Sequence, residues 1–174
     1  RLPDNGMRYE VLEGDLHMSP APRIRHQQII GELYMRIRNF LEKRPLGKVF
    51  LSPIDVRLQV VGRESTVQPD LVYIRNERVA IITEEMYING APDLVIEVRS
   101  PNRESYDRRD KFRVYAGAGI SEYWIVDPHA CTVEVNVLRG EAYAPGAVFA
   151  GKDAIRSEAL PELPIVTAEI FPPA

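Results

Sequence analysis

A short run of strand-forming residues between two prolines constrains the fold more than any other stretch of the chain. Residues 94–98, Leu-Val-Ile-Glu-Val, lie between Pro92 and Pro101 and have the length of one strand. Side chains alternate along a strand, so one face carries Leu94, Ile96 and Val98, and the other carries Asp93, Val95, Glu97 and Arg99. Unpaired buried charges are costly, so we expect a buried central strand with a functional second face.

The rest of the chain alternates between strand and helix patterns. We expect a hairpin over 9–18 that turns at Glu13-Gly14-Asp15, an amphipathic helix over 26–43, strands over 48–61, 67–74 and 122–127, a helix over 104–118, and a hairpin formed by 131–138 and 141–144. This order predicts an α/β fold, a mixed β-sheet flanked by helices, with an N-terminal hairpin and a C-terminal β-hairpin.

Composition limits the possible classes of protein. A chain of 174 residues with 45% hydrophobic residues is expected to be a single domain over 1–174. The formal net charge of −3 means that any nucleic-acid contact has to be a local basic patch. One cysteine and three histidines leave no internal disulfide and no Cys/His zinc cluster, and no apolar run approaches the roughly 20 residues of a membrane span. A cytoplasmic location is expected.

Two carboxylates on neighbouring predicted strands suggest a metal site. Asp70 lies on the strand face that also carries Val72 and Ile74, and sequential strands are often neighbours, so Asp70 can approach Glu97. Oxygen ligands suit Mg²⁺ or Mn²⁺. Asp93 precedes Glu97 by four residues, roughly 13 Å along a strand, so we place it beside the site rather than on the same ion.

A lysine in the following helix is the candidate cation of the site. Lys111 lies at the edge of the apolar stripe that should pack on the sheet. One interpretation is an ordinary pair with Asp107 at i, i+4 spacing. The other is that Lys111 orients an attacking water and offsets negative charge in a phosphoryl transition state. Both interpretations stay open on helix geometry alone.

Four segments of the chain together resemble a known group of nucleases. Pro69-Asp70 followed by Glu97-Val98-Arg99 is similar to the PD-(D/E)XK signature of the restriction-endonuclease-like superfamily. The longer set resembles the Uma family of bacterial endonucleases: Gln68-Pro69-Asp70, residues 91–101, Tyr106-Asp107 with Lys111, and residues 122–128. The resemblance covers nearly the whole chain, and the longer ordered set is the more specific.

The resemblance implies a metal-dependent endonuclease that hydrolyses phosphodiester bonds in DNA. It implies that Asp70 and Glu97 bind the divalent metal. The superfamily lysine two residues after the glutamate is replaced by Arg99, and in Uma-type proteins its role is assigned to the next helix, where Lys111 stands. Asp93 is the further candidate of the catalytic set.

Basic residues around the second helix are candidates for contact with the DNA backbone. They are Arg99, Arg103, Arg108 and Arg109. His26 and Glu13 are weaker candidates, since a histidine at a helix start and an acid at a hairpin turn are usually solvated. Cleavage of both strands of a duplex favours a homodimer, for which strands 133–138 and 143–149 offer a sheet edge.

Two other functions remain possible. A DNA-binding or assembly module that kept the fold and lost turnover is compatible with Arg99 in the signature and with the acidic net charge. A two-carboxylate glycosidase is disfavoured, because the interleaved aromatic residues of sugar sites are absent and a lysine is close by.

Overall fold

The computed structural model describes residues 8–12, 14–19, 23–84, 87–100 and 106–172, with backbone only for 8, 18, 19 and 106–109. Within these ranges the strands are β1 Arg8–Leu12, β2 Asp15–Ser19, β3 Gly47–Leu51, β4 Val56–Val60, β5 Arg63–Val67, β6 Leu71–Arg75, β7 Ile88–Asn89, β8 Leu94–Val98, β9 Glu122–Asp127, β10 Thr132–Arg139, β11 Ala142–Tyr143 and β12 Ala147–Ala150. The helices are α1 Ile24–Lys43 and α2 Tyr106–Gly117, with short 3₁₀ helices at Asn76–Ile81 and Thr167–Ile170.

The strands form two sheets. The smaller sheet has the order β2-β1-β5-β4-β7 and contains the N-terminal hairpin. The larger sheet has the order β11-β10-β9-β8-β6-β3, and β12 also pairs with β10. Both sheets are mixed, since β4 and β7 are parallel in the first and β8 and β9 are parallel in the second. The predicted α/β fold with flanking helices and terminal hairpins is confirmed, and the single mixed sheet that was expected is two mixed sheets.

Strand β8 lies in the interior of the larger sheet, as its sequence predicts. It pairs antiparallel with β6 and parallel with β9. Leu94, Ile96 and Val98 belong to the hydrophobic core that α1 covers. Val95, on the opposite face, belongs to a second core shared with α2 and the smaller sheet. Glu97 therefore faces the side on which α2 and the N-terminal hairpin pack.

Helix α1 buries one side along its 20 residues. Its buried face is formed by His26, Ile29, Ile30, Leu33, Ile37, Phe40 and Leu41, the three- and four-residue spacing of an amphipathic helix. The helix ends at Lys43, because Arg44 precedes a proline and takes an extended conformation. Its first turn, which contains His26, lies next to the carboxyl end of β8.

Helix α2 ends in a Schellman motif that its glycines predict. Gly119 has φ +82°, and the amides of Gly119 and Ile120 donate to the carbonyls of Ala116 and Tyr115. At Gly117 an added Cβ would lie 2.7 Å from a methyl carbon of Val60, so glycine allows α2 to approach β4 closely. This close approach constrains the position of α2, which carries Lys111 and Tyr115, relative to the smaller sheet.

Two expectations about strands were wrong. The predicted strand 48–61 is two strands, β3 and β4, which belong to different sheets. The predicted edge at 133–138 is interior, because β10 has β9 on one side and β11 and β12 on the other. Of the predicted edge pair, the part in β12 is on the outside of the sheet. Among the described residues, no helix combines the length and the apolar character that crossing a membrane requires.

Candidate active site

Asp70 lies between the ends of β8 and α1. It immediately precedes β6, whose register with β8 pairs Leu71 with Ile96 and so brings Asp70 beside the Glu97 end of β8. The Asp70 side chain is 1% exposed, and its Oδ2 accepts a hydrogen bond from the amide of Val98 at 2.8 Å. Nε2 of His26 is 3.2 Å from the same Oδ2 and 3.1 Å from the carbonyl oxygen of Val98. Both neighbours accept, so Nε2 carries the proton.

Lys111 lies between two carboxylates from different sheets. Its Nζ is 2.9 Å from Oε1 of Glu97 in the larger sheet and 3.1 Å from Oε2 of Glu10 in the smaller sheet. The phenol of Tyr115, one helical turn further on, donates to Oε1 of Glu97 at 2.7 Å. Lys111 is only 6% exposed and Glu10 only 5%. The structure thus brings Lys111 to the acidic end of β8, which favours the second interpretation of this lysine.

The electrostatics of this group are unbalanced. Burial raises the pKa of Glu97 to about 8 against the lowering effect of the Lys111 charge, and the charges of Asp70 and Glu10 raise it further. Burial, followed by the charges of Glu97 and Glu10, holds the pKa of Tyr115 well above its usual range. Three carboxylates and one ammonium share a space from which water is largely excluded. An additional cation would relieve this excess of negative charge.

Glu10 is the residue that sequence reasoning missed. It lies on β1, and its Oε1 also accepts from the amide of Gln68 at 2.8 Å, which connects the hairpin to the segment before Asp70. A signal was present in the sequence: Glu10 and Leu12 share a strand face, and both are buried, so Glu10 is an acid on an apolar face. The hydrogen bond from Lys111 joins residues 101 positions apart.

Asp93 lies at the opposite end of β8 from Glu97. Its carboxylate accepts from the amide of Arg75 at 2.9 Å and from the guanidinium of Arg78 at 3.0 Å. Glu97 is four residues away, about 13 Å along the strand. The structure does not bring Asp93 into the group around Lys111, and its carboxylate is satisfied by its own partners.

The structure describes only some of the residues that were predicted to contact nucleic acid. The guanidinium of Arg99 is 2.6 Å from Oδ2 of Asp127, and this pair lies just beyond the end of β8. Arg108 and Arg109 lie on α2, but their side chains are outside the described residues, and so is that of Asp107. Arg103 and Glu13 lie outside the described residues altogether.

Asp70 and Glu97 fit a hard divalent cation by their chemistry. Mg²⁺ is commonly held by one or two carboxylates and completes its octahedron with water and substrate oxygens. Glu10 adds a third carboxylate nearby. Within the described ranges, no three His, Cys, Asp or Glu side chains are already arranged as a ligand set, so water and substrate would complete the coordination. Burial is the main cause of the raised pKa of Glu97, and a cation held beside it would favour the carboxylate form.

Comparison with known proteins identifies the family. Residues 1–168 match Uma2, a family described as "Putative restriction endonuclease". The chain belongs to the Uma2 family. The resemblance of the segments around Asp70, Glu97 and Lys111 to Uma proteins is thereby confirmed.

Two individual proteins are similar to this member of the Uma2 family. The crystal structure of a putative nuclease of DUF820 from Anabaena variabilis superposes with a TM-score of 0.79 and 23% identity, over 98% of this chain and 93% of that one. At this identity the likeness establishes the fold, which is the predicted nuclease fold. An uncharacterized Synechocystis sp. protein, slr1290, is 27% identical over 131 residues, which are 75% of this chain and 65% of that relative.

Proposed function

We propose that this Uma2 protein is a Mg²⁺- or Mn²⁺-dependent endonuclease that hydrolyses phosphodiester bonds in DNA. The observation that carries the proposal is the position of Lys111, which a helix of its own brings to within 2.9 Å of Glu97 although the signature position holds Arg99. A buried lysine beside two candidate metal ligands is the arrangement that metal-assisted phosphoryl hydrolysis needs.

In this proposal, Asp70 and Glu97 hold the cation. When bound, the cation would supply positive charge for the phosphoryl group and would lower the pKa of a water molecule. Lys111 would donate a hydrogen bond from Nζ to the attacking water or to a phosphoryl oxygen. It is the candidate catalytic residue, because its buried ammonium lies 2.9 Å from Oε1 of Glu97, a candidate metal ligand.

Three further side chains and one backbone amide position Asp70, Glu97 and Lys111. The Nε2 proton of His26 and the amide of Val98 fix Oδ2 of Asp70. Tyr115 fixes Oε1 of Glu97. Glu10 holds the Lys111 ammonium from the other sheet, so the hairpin is part of the site. Asp93 remains a predicted member of the catalytic set, although its contacts with Arg75 and Arg78 lie elsewhere.

One observation favours the alternative, a DNA-binding or assembly module without turnover. Lys111 already bridges Glu10 and Glu97, so part of the negative charge is balanced without a metal. A fold that lost its chemistry would retain the same ion pairs as structural contacts. The predicted cytoplasmic location and homodimer stay predictions.

The test is cleavage of supercoiled plasmid and of labelled single-stranded DNA by the purified protein with Mg²⁺, with Mn²⁺ and with chelator. We expect nicked or linear plasmid only with metal. Asp70→Asn should abolish it. A wild-type protein that binds DNA but leaves it intact with both metals would establish the alternative.

Arg75→Gln is the matched control for the cleavage assay. Arg75 lies at the other end of β6 from Asp70, and its side chain is 43% exposed. It should cleave at the wild-type rate, which excludes general effects of altering β6. A contaminating nuclease would act equally in all three preparations.

A further inference from the structure

A second, basic cavity lies on the other side of His26 from Asp70. It has a volume of about 440 Å³, which is within the usual size of small-ligand sites. Its ionisable lining residues come from the start of α1, the end of β8 and the end of β9: Arg23, Arg25, His26, Arg99, Asp127 and His129. We call it the arginine cavity. Three arginines against one aspartate make its lining cationic.

The one carboxylate of the arginine cavity is already occupied. Oδ2 of Asp127 is 2.6 Å from the guanidinium of Arg99, and Oδ1 accepts from the backbone amides of His129 and Ala130. These contacts reduce the repulsion that Asp127 would exert on an incoming anion. Arg23 and Arg25, from the start of α1, add two further positive charges to the lining.

Two buried nitrogen atoms at the arginine cavity lack a hydrogen-bond partner. His26 is 93% buried, its Nε2 is used by Asp70 and Val98, and its Nδ1 has no partner. Nε of Arg25 is also buried without one, although the same guanidinium reaches Sγ of Cys131 at 3.7 Å through Nη2. Buried polar atoms without partners are uncommon and costly. An oxygen atom of a ligand would supply the acceptor that Nε of Arg25 lacks, whereas Nδ1 of His26 is itself an acceptor because the proton is on Nε2.

The start of α1 adds a third attraction for an anion. Arg23 is the N-cap residue of this 20-residue helix, no side chain caps the first turn, and the first turn contains no acidic residue. Free amides and the helix dipole at such an end favour negative charge. The cationic lining, the orphaned Nε of Arg25 and the uncapped start of α1 therefore lie around one small volume.

We propose that the arginine cavity binds a phosphate group of the nucleic-acid strand, next to the phosphate that is cleaved. The inference rests on the proposed function for the identity of the substrate, and it adds a positioning site for that substrate. His26 is shared by the two sites, since it contacts Asp70 on one side and lines the arginine cavity on the other. A phosphate held there would anchor the strand across the end of β8. It belongs either to a strand terminus or to the internal backbone.

The experiment is calorimetric titration in chelator, so that no turnover occurs. The probes are inorganic phosphate, a 5′-phosphorylated pentathymidylate and its 5′-hydroxyl counterpart. The test variants are Arg23→Gln and Arg23→Gln/Arg25→Gln. The matched control is Arg38→Gln/Lys43→Gln, which removes two positive charges from the exposed side of the same helix.

We expect the double test variant to lose at least about tenfold in affinity for phosphate, as the loss of a charge-assisted hydrogen bond predicts. Arg23→Gln changes an exposed residue and should leave folding intact, and it should lose part of the affinity for phosphate. The control variant should bind phosphate as the wild type does. Loss confined to the 5′-phosphorylated strand assigns the site to a terminal phosphate, and equal loss for both strands assigns it to the backbone.

Equal losses in the test and control variants would overturn the proposal, because the attraction would then be a general effect of charge. So would the absence of saturable phosphate binding by the wild type. Since binding is measured without metal, a protein that proves unable to cleave DNA can still show the predicted pattern. Failure of the arginine cavity and failure of the nuclease are thus separate results.

Discussion

The two ends of β8 carry the same kind of residue in opposite electrostatic situations. Asp93, at the beginning, is 2% exposed and receives an amide hydrogen bond and the guanidinium of Arg78. Glu97, at the far end, shares one ammonium with Glu10, and burial, followed by the charges of Asp70 and Glu10, raises its pKa to about 8. At the Asp93 end, by contrast, positive and amide donors match the acid.

This difference separates a structural carboxylate from a functional one. Buried acids that have enough donors stabilise the fold that positions them. Buried acids that repel one another destabilise the fold, and such groups are typical of functional sites. Sequence alone treats Asp93 and Glu97 alike, because both are acids on one face of one strand. Their partners, which come from other elements, decide their roles.

The largest effect should come from removing the lysine at the Glu97 end. Lys111→Ala should lower the rate of metal-dependent DNA cleavage by about 10²-fold or more, the scale observed when one preorganised transition-state donor is lost. Single-turnover cleavage at saturating Mg²⁺ measures it. The metal-induced rise in melting temperature should survive, because Asp70 and Glu97 remain.

Lys111→Arg is the informative companion of this variant. It preserves the charge and the ion pairs with Glu10 and Glu97, but it replaces a compact ammonium by a planar guanidinium. A catalytic role predicts a slow Lys111→Arg enzyme with normal stability. A structural role alone predicts full activity, and that outcome would turn attention to Arg99 as the catalytic cation.

The second prediction concerns the opposite end of the strand. Asp93→Asn should destabilise the protein by about 1–3 kcal/mol, because the guanidinium of Arg78 and the amide of Arg75 lose a charged acceptor. Urea denaturation measures the change. The cleavage rate per folded molecule should stay the same. A large loss of rate at unchanged stability would return Asp93 to the catalytic set.

The sequence predicts the local part of this site and misses the part that depends on packing. Period-two alternation identifies β8 and its two faces, and neighbouring strands in sequence bring Asp70 to Glu97. Glu10 reaches Lys111 only because the smaller sheet packs over α2, and no local pattern encodes that distance. The break between β3 and β4 was missed for a similar reason. Alternating residues continue through 54–60 while the chain moves to another sheet.

The third prediction concerns how Glu97 makes the stability of the folded protein depend on pH. The pKa of Glu97 is about 8 in the folded protein against an ordinary 4.5, so the folded state binds more protons than the unfolded state between these values. Stability of the wild type therefore falls as the pH rises through this window. Glu97→Gln cannot lose a proton, so in chelator its advantage in melting temperature over the wild type should grow from pH 5 to pH 8.

Added Mg²⁺ should reverse the order of the melting temperatures of Glu97→Gln and the wild type. Mg²⁺ binds the folded wild type and should raise its melting temperature, while Glu97→Gln should respond little. Asp93→Asn serves as the control, since it lies at the other end of β8 and should keep the metal response. If Glu97→Gln were less stable than the wild type at pH 8 in chelator, the pair with Lys111 would outweigh the repulsion, and Glu97 would resemble Asp93.

The smallest effect should come from the arginine just past the Glu97 end. Arg99 is 30% exposed at its side chain and already paired with Asp127, so its attraction for DNA is partly spent within the protein. Arg99→Gln should weaken DNA binding modestly and reduce the slope of log affinity against log salt by about 1, the amount expected for one lost phosphate contact. Fluorescence anisotropy with a labelled duplex in chelator, at several salt concentrations, measures the slope. Asp127→Asn sharpens the result, because it releases Arg99 from its partner and should strengthen binding. If Arg99→Gln removed cleavage without altering the slope, the arginine would act in the chemical step, and the division between the paired and the unbalanced end of β8 would have to be redrawn.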